Sequence, residues 1–263
     1  MYCKIELIPK KHLDEDKAEE MIWDFLVCLK RNGQILKEYS VAKDHNYCLY
    51  VTFPKNDSFD EKYDGIYVKE RREKINEHFD IKITSLGENI QCLTYCTCSE
   101  RSAIEMQTYN HDINSVFTCF DCGNPIALYE LPFVEEQDDH YYVEGWQKNY
   151  SSMDTLWMTC LCDRYTGNQL RNPDSALNRQ GIELAQSMSA RLGYPIYYHL
   201  ECMFGNKIKT KQVGKAFVHV CPKCNQVMKR AKIGDDRIDI CNDCKLSYDA
   251  HNHDAHNYEK NKS

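Results

Sequence analysis

Ten of the fifteen cysteines fall in five closely spaced pairs, and thiolates at such spacing are the donor set of structural zinc sites. The clearest set lies in the stretch 217–246, where Cys221 and Cys224 are followed, after sixteen intervening residues, by Cys241 and Cys244. An arm of that length holds two antiparallel strands that bring two Cys-x-x-Cys turns together, which is the plan of a zinc ribbon. Each turn aims backbone amides at sulfur and favours a residue tolerant of positive φ directly after its second cysteine. Asn225 meets that need, and Lys245 meets it less well.

A second set is read from Cys96-Thr97-Cys98 and Cys119-Phe120-Asp121-Cys122-Gly123. The latter half is a good zinc knuckle, with Gly123 where a left-handed residue is wanted. The former half is less regular, and Cys92 lies close enough to compete as a ligand. Two Zn²⁺ per chain are expected. Cys160 and Cys162 read as thiols on one side of a strand that could join a metal site but better suit packing, and Cys28, near the apolar stripe of the first helix, and Cys48, within a strand, read as buried thiols.

Catalytic motifs are weak. His199-Leu200-Glu201 with Cys221-Pro222-Lys223-Cys224 partly matches zinc deaminases, but the proline follows the first cysteine, and Cys241 with Cys244 completes the ligand set. A metal held by four thiolates has no open position for an activated water, so no enzymatic activity is expected.

Charge is distributed unevenly. Between residues 202 and 234 there is no Asp or Glu, while Lys207, Lys209, Lys211, Lys215, Lys223, Lys229, Arg230 and Lys232 supply eight positive charges. Set against a net charge of −7, this leaves −15 for the remainder. The basic segment suits RNA or single-stranded DNA. The acidic body suits a cationic protein partner, for instance a nuclease-type toxin held by an immunity protein.

The elements that must position these residues follow an α+β plan with boundaries expected at 88, 206 and 250. Cys3, Ile5 and Leu7 alternate as in a half-buried strand; Ala18, Ile22, Phe25, Leu26 and Leu29 recur at helical spacing up to Asn32-Gly33. Strands over 35–41 and 47–53 flank a turn at 43–46. Ser58 and Glu61 read as a capping box opening a helix to about Phe79, with a strand from Ile81 beyond it. This βαββαβ order over 1–88 is that of the ferredoxin-like fold, whose free sheet face can stack RNA bases. No basic-aromatic signature supports that use here, so Tyr39, Tyr47 and Tyr50 are read as packing residues.

A middle domain (89–206) carries the CxC/CxxC site. Tyr142, Trp146 and Tyr150 share one helical face in it, and Ser175 opens a helix closed by Gly193 and Pro195. A tyrosine-rich strand over 196–203 leads into the ribbon (207–250). The tail 251–263 lacks apolar periodicity and is expected to be disordered.

An odd cysteine count, the chain length and no apolar segment after Met1 argue against a disulfide framework and for a cytoplasmic protein. No apolar run approaches the roughly twenty residues that span a bilayer.

The segments RNGQIL (31–36), CFDCGNPIALYELP (119–132), NPDSALNRQG (172–181) and YPIYYHL (194–200), with the paired CPKC and CNDCKL, resemble a bacterial zinc-ribbon-containing family for which nucleic-acid binding has been suggested. The likeness runs nearly end to end. It implies a non-enzymatic, metal-stabilised protein with Cys221, Cys224, Cys241 and Cys244 as one ligand set and Cys96, Cys98, Cys119 and Cys122 as the other. Asn225 and Lys245 stand where that family usually has Gly and Arg, which removes one guanidinium from any phosphate site.

Overall fold

The computed structural model describes residues 1–36, 39–134, 139–201, 209–213 and 216–250. The tail 251–263, Lys207 and Lys215 lie outside the described residues. The chain is mixed α+β and forms two compact units. One comprises Met1–Tyr95, Ile113–Ser115 and Pro125–Glu144; the other comprises Cys96–Asp112, Val116–Asn124 and Gly145–Ser263. The units therefore interleave along the chain and do not follow the boundaries read at 88 and 206. No helix among the described residues is long and apolar enough to cross a membrane.

The first unit runs β1 (Tyr2–Pro9), α1 (Glu15–Arg31), β2 (Tyr39–Lys43), β3 (Tyr47–Thr52), α2 (Ile66–His78) and β4 (Phe79–Gly87). Its sheet is antiparallel in the order β2-β3-β1-β4. Alternation in β1 buries Cys3, Ile5 and Leu7 against Ile22, Phe25, Leu26 and Leu29 of α1 and Val68 and Ile75 of α2. Helix α1 starts at Asp14, whose carboxylate accepts the Lys17 N–H, and ends at Asn32; Gly33 then takes φ +80°. That glycine is required twice over, because a Cβ there would also lie 2.4 Å from the Leu128 Cβ.

Three local expectations are corrected. The second strand begins at Tyr39, so Ile35 and Leu36 precede it. The expected capping box does not form: Ser58 Oγ accepts the Lys55 N–H at 2.9 Å and donates to Lys55 O at 2.8 Å. The helix starts instead at Ile66, after a short 3-10 turn over Glu61–Tyr63. Between them Asp64 is drawn into a buried network, accepting from Gln34 Nε2 at 2.9 Å and Arg72 Nη2 at 2.8 Å. Asn32 donates to both Gln34 and Tyr63 O, so the polar residues of 31–36 serve to pin the 3-10 turn to the end of α1.

The second unit contains β5 (Ile104–Met106), β6 (Phe117–Cys119), most of α3 (Tyr141–Met158), α4 (Asp163–Arg171), α5 (Ala176–Leu192) and β7 (Ile196–His199). It continues through the hairpin β8 (Thr210–Val213) and β9 (Ala216–His219) to β10 (Lys229–Ile233), β11 (Asp236–Cys241) and β12 (Leu246–Asp249). Six strands form one mixed sheet in the order β10-β11-β12-β7-β5-β6, with β7 parallel to both neighbours. The ribbon strands are thus continuous with the sheet of the middle segment.

Trp146 and Tyr150 on α3 are buried and Trp146 packs edge-on to Tyr198, whereas Tyr142 is 40 % exposed and outside this core. Gly181 on α5 lets Trp146 and Tyr198 approach, since a Cβ there would meet their ring atoms at 2.5 and 2.2 Å. Ser175 caps α5 and Gly193 ends it at φ +77°. Cys160 and Cys162 do not lie in the strand expected of them. They are exposed in the α3–α4 turn, both at positive φ, and α4 itself had no signal in the apolar pattern.

Candidate metal centres

Two groups of four cysteines meet in the second unit: Cys96, Cys98, Cys119 and Cys122, and Cys221, Cys224, Cys241 and Cys244. Within each group the sulfurs all lie within 4.8 Å of one another. A tetrahedron with Zn–S bonds of about 2.3 Å has S···S edges of roughly 3.8 Å, and Cys224 and Cys241 stand at 3.6 Å. Each group can hold one metal ion. Cys92 belongs to neither; its thiol lies 3.5 Å from Leu93 O.

Two of the turns share one hydrogen-bond plan. The Gly123 N–H bonds Cys119 O at 2.8 Å and the Cys119 N–H bonds Asn124 O at 3.0 Å; Asn225 to Cys221 and Cys221 to Gln226 repeat this at 2.9 Å each. The residue after the second cysteine has positive φ in every Cys-x-x-Cys turn: Gly123 +72°, Asn225 +59° and Lys245 +53°. Lys245 accepts this cost although its side chain is poorly suited to it. The freed amides reach sulfur, as when Cys244 N–H lies 3.4 Å from Cys241 Sγ and Cys98 N–H 3.4 Å from Cys96 Sγ. The irregular Cys96–Cys98 arm is held by Asp121, which accepts the Ser102 N–H at 2.8 Å and its hydroxyl at 2.7 Å.

The thiols resist ionising together. Burial and the neighbouring thiols Cys221 and Cys224 push Cys241 up to about 11, against a backbone N–H from Cys244. Burial and Cys96 likewise push Cys119 up to about 11. For Cys96 burial opposes ionisation, but hydrogen bonds from Arg101 and the Cys98 N–H outweigh it and bring the thiol down to about 7. Four crowded thiols that repel one another's charge are a donor set completed by a cation, so the residues fit a divalent metal.

The centres are linked through β7 and a pair of glycines. Phe120 stacks on Tyr197 at 5.3 Å, and the Tyr197 hydroxyl donates to Asn242 Oδ1 at 2.8 Å. Lys245 Nζ sits 5.5 Å from the same ring. The β10–β11 turn touches the first knuckle directly, with Gly234 N–H bonded to Phe120 O at 2.8 Å. The tyrosine-rich pattern marks the strand that carries Tyr197, but no local signal in the sequence points to Tyr197 or Gly234 as part of the site.

His199 does not approach Cys221. Its Nδ1 lies 3.2 Å from Glu105, which also accepts the Ser247 hydroxyl at 2.6 Å, all three residues being buried. Of the basic residues, Lys209, Lys211, Lys223, Lys229 and Lys232 are exposed. Arg230 is not available in the same way: its Nε donates to buried Asp239 at 2.6 Å and its Nη2 to Phe217 O at 3.0 Å. Asp239 also receives the His219 N–H, and His219 stacks on Tyr248.

The fold and sites define a mixed α+β protein with two four-cysteine groups that could each hold a metal ion. Residues 98–201 match a family model described as a domain of unknown function (DUF2310), and residues 1–85 match another, likewise a domain of unknown function (DUF8589). A protein of Haemophilus influenzae, named "Uncharacterized protein", is 29 % identical over 104 residues. The aligned part covers 38 % of this chain and 38 % of that relative.

Proposed function

We propose that this is a non-enzymatic zinc protein that binds RNA or single-stranded DNA through lysines of its C-terminal hairpins. Each four-cysteine group takes one Zn²⁺ with a closed thiolate shell, which leaves no coordination position for a substrate or an activated water. The observation that carries the nucleic-acid reading is that Lys209, Lys211, Lys223, Lys229 and Lys232 are all exposed. None of them enters an ion pair among the described residues, so their charge is directed outward. The order β2-β3-β1-β4 with two crossing helices supports placing the first unit in the ferredoxin-like class.

The test is a binding titration with fluorescent oligouridine and oligo-dT over a range of salt. Contact with four to six phosphates gives a log–log salt slope of roughly −3 to −4. Reversal of the five exposed lysines to Glu should abolish that slope while zinc content stays unchanged. Arg230 must be left in place, because a Glu there would face the buried Asp239 carboxylate. Failure of the parent protein to bind at low salt overturns this reading, and capture of a cationic protein by the acidic body becomes the reading that remains.

A further inference from the structure

The face of the first unit's sheet that α1 and α2 do not cover carries a cavity of about 510 Å³. It is lined by Tyr2 of β1, Tyr50 and Thr52 of β3, and Glu88, Asn89 and Ile90 of the segment that follows β4. Tyr2 pairs with Thr52 and Lys4 with Tyr50, so the two tyrosines are diagonal neighbours on one face. Such neighbours stand roughly 7–8 Å apart. The segment over them is anchored, since Asn89 Nδ2 donates to Thr52 Oγ1 at 2.8 Å and Asn89 Oδ1 accepts the Gln91 N–H at 3.0 Å. Glu88, directly before Asn89, also lines the cavity. Ile90 is 100 % exposed there, an apolar side chain with no cover of its own.

Glu88 is the one formal charge among the described residues that line the cavity. Lys4, the nearest lysine in register, has its amino group 3.5 Å from Glu6. Phosphate is therefore disfavoured and a cation favoured. Two phenol faces at this separation can both lie within the ~6 Å over which a ring attracts a cation, and the volume is that of a small-molecule site. The geometry points to a binding site for a small organic cation, with an ammonium group between Tyr2 and Tyr50 and Glu88 balancing its charge. It is built from residues of the first unit alone, whereas the four-cysteine groups and the lysines proposed to bind nucleic acid belong to the second.

The experiment is a titration of the full chain by calorimetry and amide NMR with choline, its neutral carbon isostere 3,3-dimethylbutan-1-ol, and uridine monophosphate. Choline should saturate and shift Tyr2, Tyr50 and Asn89 resonances, and the isostere should bind about tenfold more weakly, because the cation–π attraction is absent. Tyr50→Leu should abolish choline binding and Tyr50→Phe should retain it, which separates loss of the ring's cation attraction from a folding defect. Glu88→Gln should weaken it about threefold, as befits an exposed charge. Equal binding of the neutral isostere, no binding of choline at about 10 mM, or tighter binding of uridine monophosphate would each overturn the proposal.

Discussion

Gly234 and Gly123 meet backbone to backbone: a Cβ on Gly234 would lie 2.9 Å from Gly123 Cα, and one on Gly123 would lie 3.2 Å from Gly234 Cα. The turn between β10 and β11 belongs to the ribbon and Gly123 closes the first knuckle, so the two metal centres are in contact through residues that bind no metal. Both glycines also sit at positive φ.

Replacing Gly234 with Ala combines a left-handed alanine with a clash against backbone, and should destabilise the second unit by roughly 2–4 kcal/mol. Gly193→Ala is the control. It has a similar φ of +77° but open space around it, so only about 1 kcal/mol is expected. Urea denaturation of both variants checks the difference, and equal midpoints would show that the glycine contact has no energetic weight.

Metal analysis should find two zinc ions per chain, and fewer than one would contradict both ligand sets. Because Gly234 and Tyr197 tie the centres together, Cys122→Ser should speed zinc loss from the Cys221 group as well as from its own. A colorimetric chelator follows both rates. An unchanged rate at the distant group would mean that the centres are independent.

His199 supplies a pH signature. Burial disfavours its charged form, but the hydrogen bond and charge of Glu105, helped by Glu201 and Asp249, outweigh that and raise it to about 9. A histidine raised in the folded state stabilises fully below its unfolded value near 6.5. That contribution is lost as pH rises from about 6.5 to 9. Stability should fall over this window, and His199→Gln should flatten the fall. A parent protein with the same stability at both ends would refute the charged pair.

The main core of the first unit is built wholly from residues between Cys3 and Phe79. A fragment ending at Glu88 should therefore unfold cooperatively by circular dichroism. It lacks Leu128, which lies over Gly33, and Tyr129, which packs on Tyr63 at 4.3 Å. Its denaturant midpoint should be lower than that of the same unit in the full chain. An unstructured fragment would show that the later segments are required for folding.

What the sequence settled by itself was local. A Cys-x-x-Cys turn is specified by a few residues, so the group of Cys221, Cys224, Cys241 and Cys244 could be read from spacing alone, whereas spacing left Cys92 competing with the Cys96–Cys98 arm until the structure set it apart. Apolar periodicity likewise located α1 and α5, with Asn32-Gly33 and Gly193 as their ends. Tertiary structure decided what depends on distant partners. The capping box at Ser58 failed because its hydroxyl is engaged with the Lys55 backbone, and the helix starts only beyond Asp64, which Arg72 and Gln34 bind; no local pattern reveals those distant partners. Helix α4 is short, and its caps carry no recognisable signal. The parallel pairing of β12 with β7 joins segments about fifty residues apart in the chain, and it places Tyr197 between the two centres. Arg230 read as one more surface charge until β11 brought Asp239 beside it, because a strand's neighbours are chosen by the sheet and not by the strand.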